Sequence, residues 1–348
     1  MNPRTGSHAH TGNGRRRGPV MADVARLAGV SHQTVSRVLN GSEHVRAETR
    51  ERVLAAMRML NYRPSAVARA LVTGRSRTIG VVSFDTTLHG PASTLFGIER
   101  AAHEEGYFTA IVSLRALDQP SVQTAIDHLR RQGVDGILVI APQLPAVQAL
   151  PHLDLDVPVV AVEAGPEEGV PTVAIDQHAG ARAVTRHLLE LGHATVAHVS
   201  GPSDFLEAHQ RIAGWRAVLE EAGADVPAPL EGDWSPRAGY EQGRRLLEAG
   251  GTTAVFVAND QMALGLLRAL HDAGCEAPRD ISVVGFDDIP EAAYFTPPLT
   301  TVRQDFMEMG RRSVHLLLGQ LDGGLRPSTG ETVAPELVVR SSTAPPRR

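Results

Sequence analysis

Short apolar runs and amphipathic stretches alternate along most of this chain, and this alternation limits its possible folds more than any other feature. The runs have strand length and lie at 78–84, 108–114, 136–141, 158–162, 172–175, 195–199, 253–258 and 281–286. Stretches with helical periodicity lie between them, at 92–105, 122–132, 179–191, 208–222 and 238–248. Such alternation predicts the α/β class, with doubly wound parallel sheets. Because the pattern extends over 78–343, which is long for one sheet, we expect two similar lobes.

The charge of the chain changes sign near residue 77. Residues 1–77 hold 14 arginines against four acidic residues, a net charge of +10, whereas residues 78–348 hold 20 arginines against 35 acidic residues, a net charge of −15. A basic head on an acidic body indicates a nucleic-acid-binding module joined to a second domain. A solvated basic tail is the alternative interpretation of the charge alone.

Missing residue types and motifs exclude several classes of function. The chain contains no lysine, so it has no P-loop, Schiff-base or kinase lysine. It also has no GxSxG or HExxH motif. The single cysteine, Cys275, cannot form an intramolecular disulfide, which favours a reducing cytoplasm. No apolar window approaches the ~18 residues of a membrane helix, so we expect no membrane partner. We also expect neither a metal nor a cofactor.

Residues 23–39 have the spacing of a helix-turn-helix. Ala25 is small where two helices must cross closely, and Gly29 can adopt the left-handed conformation that ends a helix in a tight turn. Ser31 is a favourable N-cap for the second helix, and Val35 and Val38 supply its inward face. An ordinary helical hairpin is the alternative, but the local positive charge favours DNA binding.

The outward face of the second helix carries His32, Gln33, Ser36 and Arg37. Gln pairs with adenine and Arg with guanine through two hydrogen bonds, and hydroxyl side chains reach bases or phosphates. We therefore expect His32, Gln33 and Arg37 to contact base edges, and Thr34 and Asn40 to contact phosphates.

The N-terminal part of the chain resembles the DNA-binding headpiece of the lactose-repressor (LacI) family. The resemblance rests on VSRVLNG (35–41), TRERV (49–53) and NYRPSAVARAL (61–71). In that family, a hinge helix orders on operator DNA and pairs with its dimer mate in the minor groove. The match implies that Leu71 is the apolar wedge that kinks the central base step.

These interpretations predict the organisation of the N-terminal part. We expect a disordered arm over 1–17, a helix-turn-helix headpiece over 18–63, and a hinge helix with its linker over 64–77. The predicted DNA-binding residues are Ser31, His32, Gln33, Thr34, Ser36, Arg37, Asn40 and Leu71.

The rest of the chain resembles the regulatory core of the same family, through VANDQMALG (257–265), DISVVGFDD (280–288) and PPLTTVRQDF (297–306). That core has the fold of periplasmic sugar-binding proteins, in which ligand lies in the crevice between two lobes. The core is expected over 78–343, followed by a tail at 344–348. The expected first lobe comprises about 78–176 and 306–333, and the second about 177–302 and 334–343.

Three polar residues point to the crevice independently of the resemblance. Glu163, Asn259 and Asp287 each follow a predicted strand, and the carboxyl ends of parallel strands meet at one edge of a sheet. The resemblance adds the arginine of QRIAGW (210–215), the tryptophan of EGDWS (231–235) and an apolar lining. The predicted effector-binding residues are Leu88, Pro91, Glu163, Glu207, Arg211, Trp234, Asn259, Asp287, Gln304 and Phe306.

Two positions depart from the pattern of the family's lactose-responsive members. Glu207 replaces a small hydroxyl residue and Ile175 replaces an aromatic residue. A carboxylate in the cleft would select a different hydroxyl pattern or an amino sugar. A sugar is therefore the expected effector, with a galactoside-like one favoured.

The combined interpretation is a transcriptional regulator that represses carbohydrate-utilisation genes and leaves its operator when a small sugar binds. A sugar-binding transport or chemosensory protein shares the core but lacks a basic headpiece. A glycoside hydrolase would need paired carboxylates, such as those of Asp260, Asp287 and Asp288, which we interpret instead as ligand and loop contacts. A purine or phosphosugar effector, and activation instead of repression, stay open.

The expected partners are double-stranded palindromic operator DNA and a second copy of the chain. Helix-turn-helix proteins usually read two half-sites as symmetric dimers. Tetrameric family members add a C-terminal leucine-heptad helix, whereas this chain ends in STAPPRR (342–348). A homodimer is therefore expected.

Overall fold

The computed structural model describes residues 19–39, 42, 44–63, 74–114, 118–152, 155–165, 170–323 and 330–347. The chain divides into two compact units, one ending at Ser76 and the other beginning at Arg77. No helix within the described ranges is long and apolar enough to cross a membrane.

The first unit contains three helices among its described residues: α1 (Met21–Ala28), α2 (His32–Leu39) and α3 (Ala47–Leu60). Gly29 ends α1 in the left-handed conformation, with φ 63° and ψ 40°. The helices pack around a small apolar core, which is made of Val24, Ala25, Ala28, Val35, Val38, Val53 and Ala56. These contacts fix which face of α2 is buried and which is free.

The second unit contains a six-stranded parallel sheet in the order β11-β5-β4-β3-β1-β2. Its strands are β1 (Thr78–Phe84), β2 (Phe108–Leu114), β3 (Gly136–Ile140), β4 (Val159–Val162), β5 (Thr172–Ile175) and β11 (Glu331–Val333). Helices α4 (His89–Glu104) and α11 (Phe306–Leu321) cover one face, and α5 (Gln119–Arg131) and α6 (Leu144–Ala149) cover the other. The sheet is therefore doubly wound, as predicted.

A second parallel sheet has the order β7-β6-β8-β9. Its strands are β6 (Ala197–Ser200), β7 (Leu230–Glu231), β8 (Ala254–Val257) and β9 (Ser282–Val284). Alternate residues of β8 face opposite sides: Val255 and Val257 pack with α9 (Pro236–Ala249) and α10 (Asp260–Asp272), whereas Phe256 packs with α7 (Gln177–Glu190) and α8 (Leu206–Glu221). Because helices cover both faces of the sheet, every residue of this strand is buried, and its sequence is a continuous apolar run.

The chain passes between the two sheets three times. It leaves the six-stranded sheet after β5, returns after β10 (Thr301–Arg303), and crosses again between β11 and β12 (Glu336–Val338). Strands β10 and β12 pair antiparallel with each other. Both lobes are therefore built from discontinuous parts of the chain.

All eight predicted strands are present, with some different ends. The run at 281–286 forms a strand only over Ser282–Val284, and beyond it the backbone N–H groups of Gly285 and Asp287 donate to the carbonyl oxygens of Thr300 and of Val302 in β10. Helices α6, α10 and α11 were not predicted.

Helices α4 and α11 cross so closely that a side chain cannot fit between them. A Cβ atom on Gly310 would lie 2.6 Å from the backbone nitrogen of Ile98 and closer still to the carbonyl carbon of Gly97. Backbone atoms cannot move aside as a flexible side chain can, so this approach requires glycine. By contrast, a Cβ on Gly319 of the same helix would meet nothing within 4 Å.

We expect Gly310→Ala to lower the free energy of unfolding by about 1–3 kcal/mol, because the added methyl group overpacks the helix crossing. The matched control Gly319→Ala should be neutral or stabilising by up to about 1 kcal/mol, since alanine is the better helix former. Urea unfolding measures both values. Equal values for the two variants would contradict close packing at this crossing.

Candidate functional site

The exposed face of α2 is the candidate nucleic-acid surface of the first unit. Ser31 caps the helix, because its Oγ accepts a hydrogen bond from the backbone N–H of Thr34 at 3.1 Å. His32, Gln33 and Arg37 are exposed, and Thr34 and Ser36 are half-buried. Val35 and Val38 hold the opposite face in the core. The structure thus presents three potential base-reading side chains on one free helical face.

Two predicted DNA-binding residues, Asn40 and Leu71, lie outside the described residues. The predicted arm (1–17) and most of the predicted hinge (64–73) also lie outside them.

The second unit has a cleft of about 250 Å³ at the carboxyl ends of strands from both sheets. Eight of the ten predicted effector-binding residues line it: Leu88, Pro91, Glu207, Arg211, Trp234, Asn259, Asp287 and Gln304. Leu88 and Gln304, the first and last of these residues, are separated by most of the core sequence. They meet in the cleft because the carboxyl ends of parallel strands lie at one edge of each sheet.

Arg211, on α8, is the centre of the cleft's polar network. It is 2% exposed, and its Nε donates to Oε1 of Gln177 at 3.0 Å. Its Nη1 donates to the carbonyl oxygen of Ala258, and its Nη2 lies 3.5 Å from Oε2 of Glu207 and 3.8 Å from Oδ1 of Asp287. The ring of Phe286 packs against the guanidinium at 4.0 Å. Nearly complete burial makes these ionic contacts much stronger than surface pairs.

Two glutamines continue this network to two of the crossings between the sheets. Gln177 begins α7 directly after the first crossing, and Gln304 lies between β10 and α11 at the second. Nε2 of Gln177 donates to Oε1 of Gln304 at 2.7 Å, and Nε2 of Gln304 donates to Oδ1 of Asp287 at 2.6 Å. Arg211 and Asp287 are therefore joined through amides that belong to the connecting segments.

Trp234 forms the aromatic wall of the cleft. Its ring makes an edge-to-face contact with Phe205 at 5.6 Å and lies 5.6 Å from the Arg211 guanidinium. A Cβ atom on Gly201 would overlap the ring, so the glycine makes room for it. Asn259 donates from Nδ2 to the carbonyl oxygen of Trp234 at 3.1 Å, which holds the loop against the start of α10.

Asn259 also has a structural task, because its Oδ1 caps α10 by accepting from the backbone N–H of Met262 at 2.8 Å. The loop that carries Asp287 is held by Asp288, whose two oxygens accept from Arg303 at 2.8 Å and Arg340 at 2.6 Å. These contacts fix the positions of the cleft's polar groups before any ligand binds.

The remaining two predicted residues lie behind the cleft lining. Phe306 packs edge-to-face on His89 at 5.7 Å, so it supports a lining residue. Glu163 is 5% exposed, and its Oε1 accepts a hydrogen bond from Thr94. Its second oxygen, Oε2, has no hydrogen-bond partner among the described residues.

Backbone strain is concentrated at this cleft. Glu163, Trp234 and Asp287 have positive φ angles of 63°, 70° and 113°, in a region that non-glycine residues rarely adopt. Each such conformation costs on the order of 1–3 kcal/mol and persists where the surrounding structure enforces it, typically at functional sites.

Burial raises the pKa of each buried carboxyl group at the cleft. Burial, together with the charge of Glu207, raises the pKa of Glu163 to about 8. Burial also raises the pKa of Asp287 to about 6, although Arg211 and Gln304 oppose this rise. The pKa of Glu207 is raised for the same reason, with Arg211 opposing. Burial lowers the pKa of His89, so this lining residue is mainly neutral near pH 7.

Several lining residues were not predicted from the sequence. They are Thr87, His89, Gly90, Pro142, Phe205, Asp233, Ser235, Pro236 and Gln261. Five are direct chain neighbours of the predicted residues Leu88, Pro91 and Trp234, so the sequence contained a usable signal for Thr87, His89, Gly90, Asp233 and Ser235. Gln177 carried no such signal, since its role depends on a partner 127 residues away.

A helix-turn-helix unit followed by a two-lobed core with a polar and aromatic cleft defines a DNA-binding regulator with a periplasmic-binding-protein-like sensor. Residues 20–65 match the family of bacterial regulatory proteins, lacI family. Residues 185–343 match the periplasmic binding protein-like domain.

Individual relatives agree with these matches. The lactose operon repressor of Escherichia coli (strain K12) is 37% identical over 329 residues, which cover 93% of this chain and 90% of the relative. The crystal structure of the lac repressor dimer bound to operator and the anti-inducer ONPF has a TM-score of 0.85 at 35% identity, covering 94% of this chain and 100% of that one. A complex of the transcriptional regulator CelR with cellobiose has a TM-score of 0.68 at 33% identity, covering 93% of this chain and 99% of that one.

The chain belongs to the LacI family of DNA-binding transcriptional repressors. Its homologues are repressors and not enzymes, and the predicted fold class is confirmed.

We expect the stability of the sensor to fall as pH rises from about 4.5 to about 8. Glu163 has an ordinary pKa of 4.5 when unfolded and about 8 when folded, so between these values the folded state binds a proton that the unfolded state has lost. One such proton contributes a slope of at most about 1.4 kcal/mol per pH unit. The neutral amide of Glu163→Gln removes this contribution.

Urea unfolding of the parent, of Glu163→Gln and of the exposed control Glu104→Gln, at pH 5.5 to 8, measures the slopes. The free energy of unfolding should depend less steeply on pH only in Glu163→Gln. Parallel curves for all three proteins would contradict a raised pKa at Glu163.

Proposed function

We propose that this protein represses carbohydrate-utilisation genes and leaves its operator when a small sugar, galactoside-like in shape, binds in the cleft. The observation that carries the proposal is the pairing of a buried guanidinium, Arg211, with an aromatic wall, Trp234, in the lining of one cleft. Sugar hydroxyl groups need paired hydrogen bonds, and the apolar face of the ring needs an aromatic surface.

The proposed effector contacts are the ten residues predicted from the sequence, with Glu163 and Phe306 acting from behind the lining. The related regulator CelR forms a complex with cellobiose, which supports a carbohydrate in the cleft of this chain. A phosphosugar is disfavoured, because Glu207, Asp233 and Asp287 line the cleft and would repel a phosphate. A purine remains the second candidate, since Trp234 would stack on it equally well.

The proposed switch is a change in the relative position of the two lobes. A ligand weakens operator binding only if it prefers the conformation that binds DNA poorly. Because Gln177 and Gln304 lie on the crossings and bond to the cleft network, a sugar that rearranges Arg211 or Asp287 also acts on the connecting segments. Movement of the first lobes would then separate the two hinge helices of a dimer. Such coupling is typically about 1–3 kcal/mol, or about 5–150-fold in affinity.

On the DNA side, we propose that His32, Gln33 and Arg37 read base edges while Ser31, Thr34, Ser36 and Asn40 contact phosphates or bases. Leu71 is the proposed minor-groove wedge. A protein that binds a palindromic operator acts where the chromosome is, which makes the cytoplasm its proposed location. Release by the effector is favoured over activation, because the relatives named above include an operon repressor.

Arg211→Ala should bind operator nearly normally but no longer release it when sugar is added. The exposed Arg216→Ala on the same helix is the matched control and should release normally. Trp234→Leu should raise the sugar concentration needed, because the hydroxyl contacts remain after stacking is lost. Operator is first selected from random duplexes, and its release is then followed by fluorescence anisotropy with galactosides, glucosides and pentosides.

Circular dichroism shows whether each variant is folded. If folded Arg211→Ala releases operator at the parent's sugar concentration, the cleft is not the effector site.

Arg37→Ala should lose about 1–3 kcal/mol of operator binding and relax specificity at one base position. The exposed Arg58→Ala, on α3, removes the same charge and should weaken specific and non-specific DNA binding to the same small extent. The affinities of both variants for operator and for an unrelated duplex are measured by titration at one salt concentration. A larger specific loss in Arg58→Ala than in Arg37→Ala would contradict the proposed reading face.

The protein should have the mass of a dimer in light scattering. Large apolar side chains are exposed on the edge strand β2 (Phe108, 77%; Ile111, 46%) and on α4 (Phe96, 59%), which would be covered by a second copy. Ile111→Asp should shift the mass toward a monomer. A tetrameric or monomeric mass for the parent at micromolar concentration would contradict the proposed homodimer.

A further inference from the structure

The negative charge in the cleft exceeds what its arginine can compensate. Glu207 and Asp287 line the cleft with side chains that are 15% and 8% exposed, and both face Arg211. Glu163 lies directly behind, and the charges that act on it are those of Glu207, Arg211 and Asp287. Among the described lining residues Arg211 is the one guanidinium, so the carboxylates of Glu207 and Asp287 share a single fixed positive charge.

Most hydrogen-bond donors of Arg211 are already used by the protein. Its Nε serves Gln177, its Nη1 serves the Ala258 carbonyl, and its Nη2 lies between Glu207 and Asp287. A guanidinium has five N–H groups, so two are left for the hydroxyl groups of a ligand. Behind the lining, Oε2 of Glu163 is buried and has no partner among the described residues. Within the lining, Glu207 and Asp287 face a ligand beside a guanidinium that has few N–H groups left.

A buried carboxylate without compensation is costly, so the ligand is the natural source of the missing positive charge. A metal ion does not fit this role, because no group of three or more His, Cys, Asp or Glu side chains in the described part of the chain is arranged to hold one. An ammonium group fits it, since it carries one charge and three donors in a compact tetrahedron. The aromatic wall of Trp234 adds a surface for a ring and for a cation.

Resting on the sugar-binding function proposed above, we infer that the effector is an amino sugar, whose protonated amine lies against Glu207 and Asp287. Glu207 is the specificity-determining residue, because it stands on the cleft surface beside Arg211 and brings the second carboxylate to the site. Glu163, whose pKa is raised to about 8, is protonated at pH 6.5, so the charge that meets the amine comes from the two lining carboxylates. The raised pKa values of Glu163 and Asp287 agree with a site that gains stability when a cation enters.

Matched ligand sets test this inference on the full-length protein by calorimetry at pH 6.5, where hexosamines are protonated. One set is lactosamine with a free amine, lactose and N-acetyllactosamine, and a second is galactosamine, galactose and N-acetylgalactosamine. We expect the free amine to bind at least ten-fold more tightly than the hydroxyl and acetamide analogues in at least one set. Operator release should show the same preference.

Glu207→Gln should reduce the ratio of free-amine affinity to neutral-sugar affinity at least ten-fold. Glu220→Gln, an exposed position on the same helix α8, is the control and should keep the parent's ratio. If lactose or galactose binds and releases operator at least as well as its amino analogue, the inference is wrong and the proposed function stands. The inference also fails if Glu207→Gln keeps the parent's ratio. If no carbohydrate binds or releases operator, both the inference and the proposed effector class fail.

Discussion

The sensing unit depends on one buried guanidinium. Arg211 is nearly inaccessible to water, and it contacts two carboxylates, an amide oxygen and a backbone carbonyl from four separate segments. Desolvating such a charge is expensive, so the segments that satisfy it must keep their positions. The positive φ angles at Glu163, Trp234 and Asp287 show that the surrounding backbone accepts strain at the cleft. The polar centre of the cleft is thus held in place by contacts within the protein.

The same network explains how a small ligand can influence the connection between the lobes. Gln177 and Gln304 each accept one hydrogen bond through Oε1 and donate one through Nε2, which forms a continuous series from Arg211 to Asp287. Reorienting either side-chain amide therefore breaks two hydrogen bonds. Broken bonds inside a low-dielectric cleft are costly, which favours a small number of discrete arrangements over continuous deformation. We propose that this network acts as the bistable connection that a switch between DNA-binding and released states requires.

Much of this arrangement could be predicted from the sequence because parallel strands direct the residues that follow them to one edge. Asn259 and Asp287 follow apolar runs and lie in the cleft, while Glu163 follows another and lies just behind it. The turn glycine Gly29 and the cap Ser31 were readable from local rules, and both have the expected geometry.

What could not be predicted depends on long-range contacts. Gln177 looks like any polar residue at a helix start, and only the folded chain brings it to Arg211 and Gln304. The end of β9 was misplaced because residues after Val284 bond to β10, a partner that no local pattern reveals. Asn259 was predicted as a ligand contact, and its second task as the cap of α10 emerged only from the structure.

Sugar in the cleft and operator on the first unit are expected to be coupled through the protein, and coupling of this kind must be reciprocal. The direct measurement is a four-sided cycle: operator affinity with and without saturating sugar, and sugar affinity with and without saturating operator. We predict that each ligand weakens the binding of the other by the same factor, about 5–150-fold. A sugar affinity that is unchanged on the operator complex would contradict this coupling.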